Sequence, residues 1–144
     1  MQEYILYGLL FAGLLFEAVI DIREQKIWLP LVFLEIPILT GLNYSMGRGG
    51  IMLWAASFGT GAVIYFVSIV TKGQIGKGDA YLFALTGAGM GFLGNIALLY
   101  LTFLFAFLAA AFFWLVKKAG WEFRMPLAPF VLASYSFIHL CRII

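Results

Sequence analysis

Long apolar stretches separated by short polar joints cover most of the chain. Six stretches are delimited by charged residues or glycines: 4–20, 27–42, 51–71, 80–92, 95–116 and 126–141. A helix that spans the hydrocarbon core of a bilayer needs about 20 predominantly apolar residues, and most of these stretches approach that length. The fourth is short and would need to tilt or to sit in a thinned bilayer. The pattern predicts an all-α, polytopic membrane protein with about six transmembrane helices.

The composition agrees with a membrane protein. Only 11% of the residues are charged and 64% are apolar, whereas soluble domains contain about 25% charged residues. We therefore expect one transmembrane domain over residues 1–144. The first stretch is predicted to be a retained helix, because Gln2 and Glu3 stand where a secretory signal peptide has a basic region. Cys141 is the one cysteine, which excludes an internal disulfide and a paired-cysteine metal or redox site.

The positions of the basic residues predict the orientation. Seven of the nine lie in the first, third and fifth joints, and two lie on the opposite side. Positively charged loops stay in the cytoplasm, so these three joints are predicted to be cytoplasmic and both termini to lie outside the plasma membrane. No joint is basic enough for a nucleic-acid patch. The seven residues are Arg23, Lys26, Lys72, Lys77, Lys117, Lys118 and Arg124, and the other two are Arg48 and Arg142.

Glycines recur in the third and fourth stretches, at Gly59, Gly61, Gly87, Gly89, Gly91 and Gly94. Small residues at such spacings let helix backbones approach closely in membranes. We therefore expect tight packing between these two helices, with a turn in the sequence GFLGN.

The chain contains two aspartates, Asp21 and Asp79. Two crossings separate them, so they are predicted to lie at the same membrane face. Asp79 follows Gly76 and Gly78, which can adopt positive φ and permit close approach. It opens a helix, where an anion is favoured; Asp21 closes one, where a bound proton is favoured. The alternative is that both are ordinary helix-end residues in the headgroup layer.

Two carboxyl groups in opposite protonation states can hydrolyse a peptide bond without a metal or other cofactor. The ionised group takes a proton from water while the protonated group donates to the carbonyl oxygen of the substrate. This mechanism requires Asp21 and Asp79 to meet, which is a hypothesis at the level of the sequence.

Three segments resemble the type IV prepilin peptidases and preflagellin peptidases, which are GxGD membrane aspartyl proteases. They are GKGD at 76–79, DIREQKIWLP at 21–30 and MPLAPF at 125–130. The resemblance implies that Asp21 and Asp79 are the catalytic pair, and that Gly76, Lys77 and Gly78 form the loop that presents Asp79.

The resemblance also implies the substrate. Such enzymes remove a short basic leader from a prepilin-like membrane precursor, usually after a glycine, at the cytoplasmic edge of the precursor's apolar helix. With one cysteine and no additional cytoplasmic part, the chain resembles a form that has peptidase activity only.

The remaining ionisable residues leave alternatives open. Glu17 precedes Asp21 by four residues and is expected on the same helix face, where it either tunes Asp21, contacts a basic leader or makes an interfacial hydrogen bond. Glu35 stands before Pro37 and is expected to make a polar contact at a kink. A small proton-coupled transporter that uses Glu17 or Glu35 is the alternative function, and an inactive scaffold of the same fold is a third possibility. His139 has no second histidine with which to form a metal site.

Overall fold

In a computed structural model, the described part of the chain comprises residues 1–48, 50–71, 76–117 and 125–141, apart from the side chains of 53, 54 and 117. All regular structure in these ranges is helical, which confirms the predicted all-α fold. The helices are α1 (Gln2–Glu24), α2 (Leu29–Ser45), α3 (Ile51–Val70), α4 (Lys77–Lys117) and α5 (Ala128–Leu140).

Helix α4 folds back on itself at Gly91, where the backbone leaves the helical conformation with φ 74°. The rings of Phe83 and Phe103 stack with their centroids 6.2 Å apart, although twenty residues of straight helix would separate them by about 30 Å. The side-chain amide of Asn95 also donates to the carbonyl oxygen of Phe83 at 2.9 Å. The two halves of α4 therefore form an antiparallel hairpin, with its turn in the predicted GFLGN sequence.

Two helices, Gln2–Glu24 and Lys77–Val116, are long and apolar enough to cross a membrane, and the others are shorter apolar helices. Large apolar side chains also face outward from several helices, including Phe33, Phe66 and Phe107. Six crossings remain a prediction. The orientation in the membrane also remains a prediction. Several of the residues on which it depends lie outside the described residues: Lys72, Lys118, Arg124 and Arg142.

Close packing of α3 against α4 depends on two glycines. A methyl group at Gly61 would lie 2.8 Å from the carbonyl oxygen of Ala80, and one at Gly87 would overlap the carbonyl oxygen of Ser57. A methyl group at Gly59 would meet no atom within 4 Å. The predicted backbone approach is thus confirmed at Gly61 and Gly87, and it is wrong at Gly59.

Buried amides hold the hairpin in place. Asn95 accepts a hydrogen bond from Thr86 Oγ1 at 2.7 Å and donates to Thr60 Oγ1 on α3. Asn43 of α2 donates to the carbonyl oxygens of Ala88 and Gly89, at 2.7 and 3.0 Å. Carbonyl groups just before a helix break lack their usual helical partners, so Asn43 satisfies the end of the first half of α4.

Helices α1 and α5 pack together along the bundle core. Leu6, Leu10 and Leu14 of α1 are fully buried, as are Val131 and Ile138 of α5. This packing positions the beginning of α5 beside the end of α1, where Asp21 lies.

The opposite end of the bundle is held by a polar and aromatic cluster. Arg48 pairs with Glu3 and donates to the hydroxyl of Tyr7 at 2.9 Å. The ring of His139 packs against Tyr7 and Tyr135, with centroids 4.8 and 4.2 Å away. His139 therefore contributes to packing, far along α5 from the aspartates.

Candidate active site

Asp21 connects α1 to the beginning of α5. Helix α1 continues to Glu24, beyond the predicted end at residue 20, so Asp21 lies inside its last turns. Its Oδ2 accepts the backbone N–H of Ala128 at 2.9 Å, and the side chain is buried. Ala128 is the first residue of α5, where free N–H groups favour an anion.

Asp79 lies in the first turn of α4. Its backbone N–H donates to the carbonyl oxygen of Gly76 at 3.1 Å. Its carboxylate is close enough to Asp21 for the two groups to repel each other electrostatically. Because Gly78 contacts Ile27, which follows Asp21 by six residues, the two aspartates lie at the same end of the bundle.

The two helix ends do not give the aspartates the opposite protonation states that the sequence predicted. Asp79 is at the N-terminus of α4, as predicted. Asp21, however, is oriented by the N-terminus of α5 rather than exposed at the end of α1. Both carboxylates thus experience a helix N-terminus, and helix position alone does not decide which of them holds the proton. The prediction considered the helix of Asp21 and not a helix 107 residues further along the chain.

Gly76 and Gly78 provide space rather than unusual backbone angles. Within the ranges given above, positive φ among glycines occurs at Gly47 and Gly91, so Gly78 does not use the positive φ that glycine permits. A methyl group at Gly76 would lie 3.2 Å from Oδ2 of Asp79. At Gly78 it would lie 2.6 Å from Cγ1 of Ile27. The expected close approach is thus present, between this loop and the α1–α2 joint.

Lys77 lies between these glycines with its side chain exposed. In the described part of the chain, Lys77 makes no ion pair with Asp79 or Asp21. The loop residues that shape the site are therefore the two glycines.

Glu17 lies one turn before Asp21 on the same face of α1, as predicted. Its side chain is fully buried, and its Oε2 accepts the backbone N–H of Trp28 at 2.9 Å. Its Oε1 has no hydrogen-bond partner among the described residues. Because no part of Glu17 is exposed, direct contact with a basic leader does not fit this arrangement. The Glu17 carboxylate is electrostatically coupled to that of Asp21.

Glu35 of α2 is a buried acid, like Asp21 and Glu17 of α1. Its carboxyl group lies directly against Gly13 of α1, in space that a side chain at that position would fill. The charges of the Glu35 and Glu17 carboxylates act on each other. The Oε2 atom of Glu35 lacks a hydrogen-bond partner in the part of the chain that is described. The expected polar contact near Pro37 is therefore a contact with a helix face, without a hydrogen bond to this oxygen.

Three elements of the site were not identified from the sequence: the N–H of Ala128, the N–H of Trp28 and the side chain of Ile27. Backbone donors leave no mark in a sequence pattern, and an isoleucine beside an apolar stretch is unremarkable. The segment MPLAPF did indicate a helix entry near Ala128, and it is the one available signal. Across the four described ranges, no group of three or more His, Cys, Asp and Glu residues is arranged to hold a metal ion.

Comparison with known proteins identifies the family of the chain. No curated protein and no solved structure matches the chain significantly. The model of the type IV leader peptidase family matches residues 8–115. This match spans most of the chain and includes Glu17, Asp21, the α1–α2 joint and the GKGD loop with Asp79. The protein therefore belongs to the type IV leader peptidase family, a group of membrane-associated proteases.

Proposed function

We propose that this protein is an aspartic endopeptidase that removes the leader peptide from prepilin-like precursors, with Asp21 and Asp79 as its catalytic pair. The observation that carries the proposal is that these two aspartates, from helices far apart in sequence, lie at one end of the bundle, where the charge of Asp21 acts on Asp79. Family membership supports leader peptidase activity, and the paired acids supply a chemistry for it.

The proposed reaction uses one water molecule and one shared proton. Two nearby carboxylates resist being ionised together, so the pair holds a single proton. The ionised group takes a proton from water, the resulting hydroxide attacks the scissile carbonyl carbon, and the protonated group donates to the carbonyl oxygen. In the collapse of the gem-diol intermediate, one hydroxyl group returns its proton to the ionised carboxylate, the C–N bond breaks, and the amine leaves with the proton of the other carboxyl group, so the pair again holds one proton. No metal or other cofactor takes part.

The bond from Ala128 orients Asp21 for this chemistry. It holds Oδ2 at the beginning of α5 and so fixes the position of the carboxylate. A carboxylate with a fixed orientation avoids the cost of reorganising during the reaction.

The proposed substrate is a membrane precursor whose basic leader reaches the cytoplasmic end of the bundle. The precursor's apolar helix would approach from the lipid bilayer, along the side of the enzyme, and present the bond after a glycine to the aspartates. The acids of the site favour a cationic leader, although Arg23 and Lys26 are exposed nearby. In this proposal the protein is a multi-pass protein of the plasma membrane with its site facing the cytoplasm.

Cleavage of a pilin-like precursor by the purified protein in liposomes tests the proposal. We expect wild-type protein to cut next to the leader glycine, and Asp21→Asn and Asp79→Asn each to lower the rate by at least about 10³-fold, as loss of an essential acid or base group does. Glu24→Gln is the matched control, because Glu24 is an exposed acid three residues from Asp21.

Equal thermal unfolding of all four proteins would show that the fold is intact. Cleavage that survives either aspartate substitution would refute the two-aspartate mechanism.

One observation favours proton-coupled transport as a second candidate. Glu17 and Glu35 are buried, coupled to each other, and each has an oxygen without a hydrogen-bond partner among the described residues. Buried intramembrane acids of this kind occur in proton relays. A transporter would lose proton flux in liposomes on Glu35→Gln and would keep it on Asp79→Asn, whereas the peptidase shows the reverse sensitivity in cleavage.

A further inference from the structure

The joint between α1 and α2 contacts the backbone of Asp21 and the loop that carries Asp79. It begins at Gln25, whose backbone adopts the left-handed conformation and whose N–H donates to the carbonyl oxygen of Asp21 at 2.9 Å. It ends at Trp28, the residue that precedes α2. This four-residue joint is therefore attached directly to the backbone of one catalytic residue.

The far end of the joint is held by Glu17. The N–H of Trp28 is at the start of α2, where backbone donors have no acceptor within the helix. The side chain of Trp28 makes no capping hydrogen bond. Glu17 Oε2 accepts this N–H across eleven residues. A buried carboxylate thus fixes the backbone at the start of α2.

Between these two attachments, Ile27 packs on the loop that carries the other aspartate. Its Cγ1 and Cβ occupy the space next to the Cα of Gly78, where a methyl group would lie 2.6 and 3.1 Å from them. Gly78 immediately precedes Asp79. The contact is close enough that a shift of the joint would be transmitted to the GKGD loop.

We propose that Glu17 is a positioning residue of the active site, which holds Ile27 against Gly78 through its hydrogen bond to Trp28 and so sets the separation of Asp21 and Asp79. The role depends on an acceptor oxygen and not on the charge of Glu17. Its effect on cleavage rests on the proposed peptidase function, while its effect on the joint does not.

Substitutions at position 17 separate the hydrogen bond from the charge. Glu17→Gln keeps an oxygen that accepts the Trp28 N–H, and Glu17→Met removes it at similar size. We expect Glu17→Gln to cut the precursor within about threefold of wild type at the pH optimum of each protein. Glu17→Met should lower kcat by on the order of 100-fold with little change in KM, because misplacement of reacting groups by about 1 Å costs that much.

A second pair of variants removes the donor instead of the acceptor. Trp28 has φ −85°, close to the range that proline adopts, so Trp28→Pro deletes the N–H with little change in backbone angle. Trp28→Ala removes the ring and keeps the N–H. We expect Trp28→Pro to reproduce the loss of kcat seen with Glu17→Met and Trp28→Ala to retain activity, which tests the bond even if Glu17→Met fails to fold.

A distance measurement tests the joint without any substrate. Nitroxide labels at Lys26→Cys and Lys77→Cys, both exposed positions, are placed in a Cys141→Ser background, and their dipolar broadening reports the separation of joint and loop. We expect Glu17→Met to lengthen or broaden the distance and Glu17→Gln to preserve it. Glu35→Met is the control, since Glu35 contacts Gly13 and not the joint.

An unchanged label distance in both Glu17→Met and Trp28→Pro would overturn the proposal. So would equal loss of kcat in Glu17→Gln and Glu17→Met, because that result would assign the effect to charge. If the wild-type protein cuts no precursor, the proposed function fails, while the label distances still decide whether Glu17 positions the joint.

Discussion

At the scale of single residues, the proposed active site contains two glycines that leave room for different neighbours. Gly76 lies against Oδ2 of Asp79, and Gly78 lies against Ile27. Although both belong to the GKGD segment, an added methyl group would disturb the site in two different ways.

This difference gives a rescue experiment. We expect Gly78→Ala to lower the cleavage rate by on the order of 100-fold, because the new methyl group displaces either Ile27 or the loop that carries Asp79. Ile27→Ala in the same protein should restore at least tenfold, since it removes Cγ1, the Ile27 atom closest to the added methyl group. The rates are measured on the precursor in liposomes.

Gly76→Ala with and without Ile27→Ala is the control. Its methyl group faces Asp79 and not Ile27, so no rescue is expected. Equal rescue of Gly76→Ala and Gly78→Ala would contradict the assigned contacts.

At the scale of helices, the contact between α3 and α4 is set by backbone proximity. The methyl group of Gly61→Ala would meet the Ala80 carbonyl oxygen and the Ala84 backbone nitrogen, at 2.8 and 3.0 Å. Backbone atoms cannot rotate away as a flexible side chain can, so the helices must separate.

We expect Gly61→Ala to lower the free energy of unfolding by about 1–3 kcal/mol, the usual cost of overpacking. Gly59→Ala, in the same helix and facing open space, should be neutral or stabilising by up to about 1 kcal/mol, because alanine favours helix over glycine. Unfolding in detergent, followed by circular dichroism, compares the two. A larger loss in Gly59→Ala than in Gly61→Ala would contradict this packing.

The helices and the location of both aspartates at one end of the bundle followed from local patterns, and the supporting contacts did not. Hydrophobic length predicted the helical stretches, and counting crossings predicted that Asp21 and Asp79 share a face. The Ala128 N–H reaches Asp21 across 107 residues, and the contact of Ile27 with Gly78 joins separate elements. Such contacts depend on how helices rotate and tilt against each other, which the spacing of apolar residues leaves open. For the same reason, spacing did not distinguish Gly59 from Gly61.

At the scale of the whole molecule, the hairpin of α4 determines how the longest helix fits the thickness of a bilayer. Forty residues of straight helix would extend about 60 Å, twice the hydrocarbon thickness of a bilayer. Folded at Gly91, the same residues provide a short segment, 77–90, and a longer one, 92–117, with both ends of α4 pointing away from the turn. Leu93, beside this turn, is 77% exposed.

Labelling of single cysteines tests this arrangement and the predicted orientation together. In intact cells, a membrane-impermeant maleimide should label the native Cys141, which is exposed, and should also label Leu93→Cys in a Cys141→Ser background. Lys26→Cys should be labelled only after the membrane is permeabilised. Labelling of Lys26→Cys in intact cells, with Leu93→Cys protected, would reverse the orientation.

The hydrogen bond from Ala128 to Asp21 has a consequence for the order in which the enzyme is made. The donor is synthesised 107 residues after the acceptor, which at about 5–20 residues per second is a delay of roughly 5 to 20 seconds. During that interval α1, α2 and α3 emerge from the ribosome while Asp21 still lacks the partner that orients it. If Asp21 is catalytic, as proposed, a nascent chain would have no organised proteolytic centre. It would not cleave nearby membrane proteins until α5 is in place.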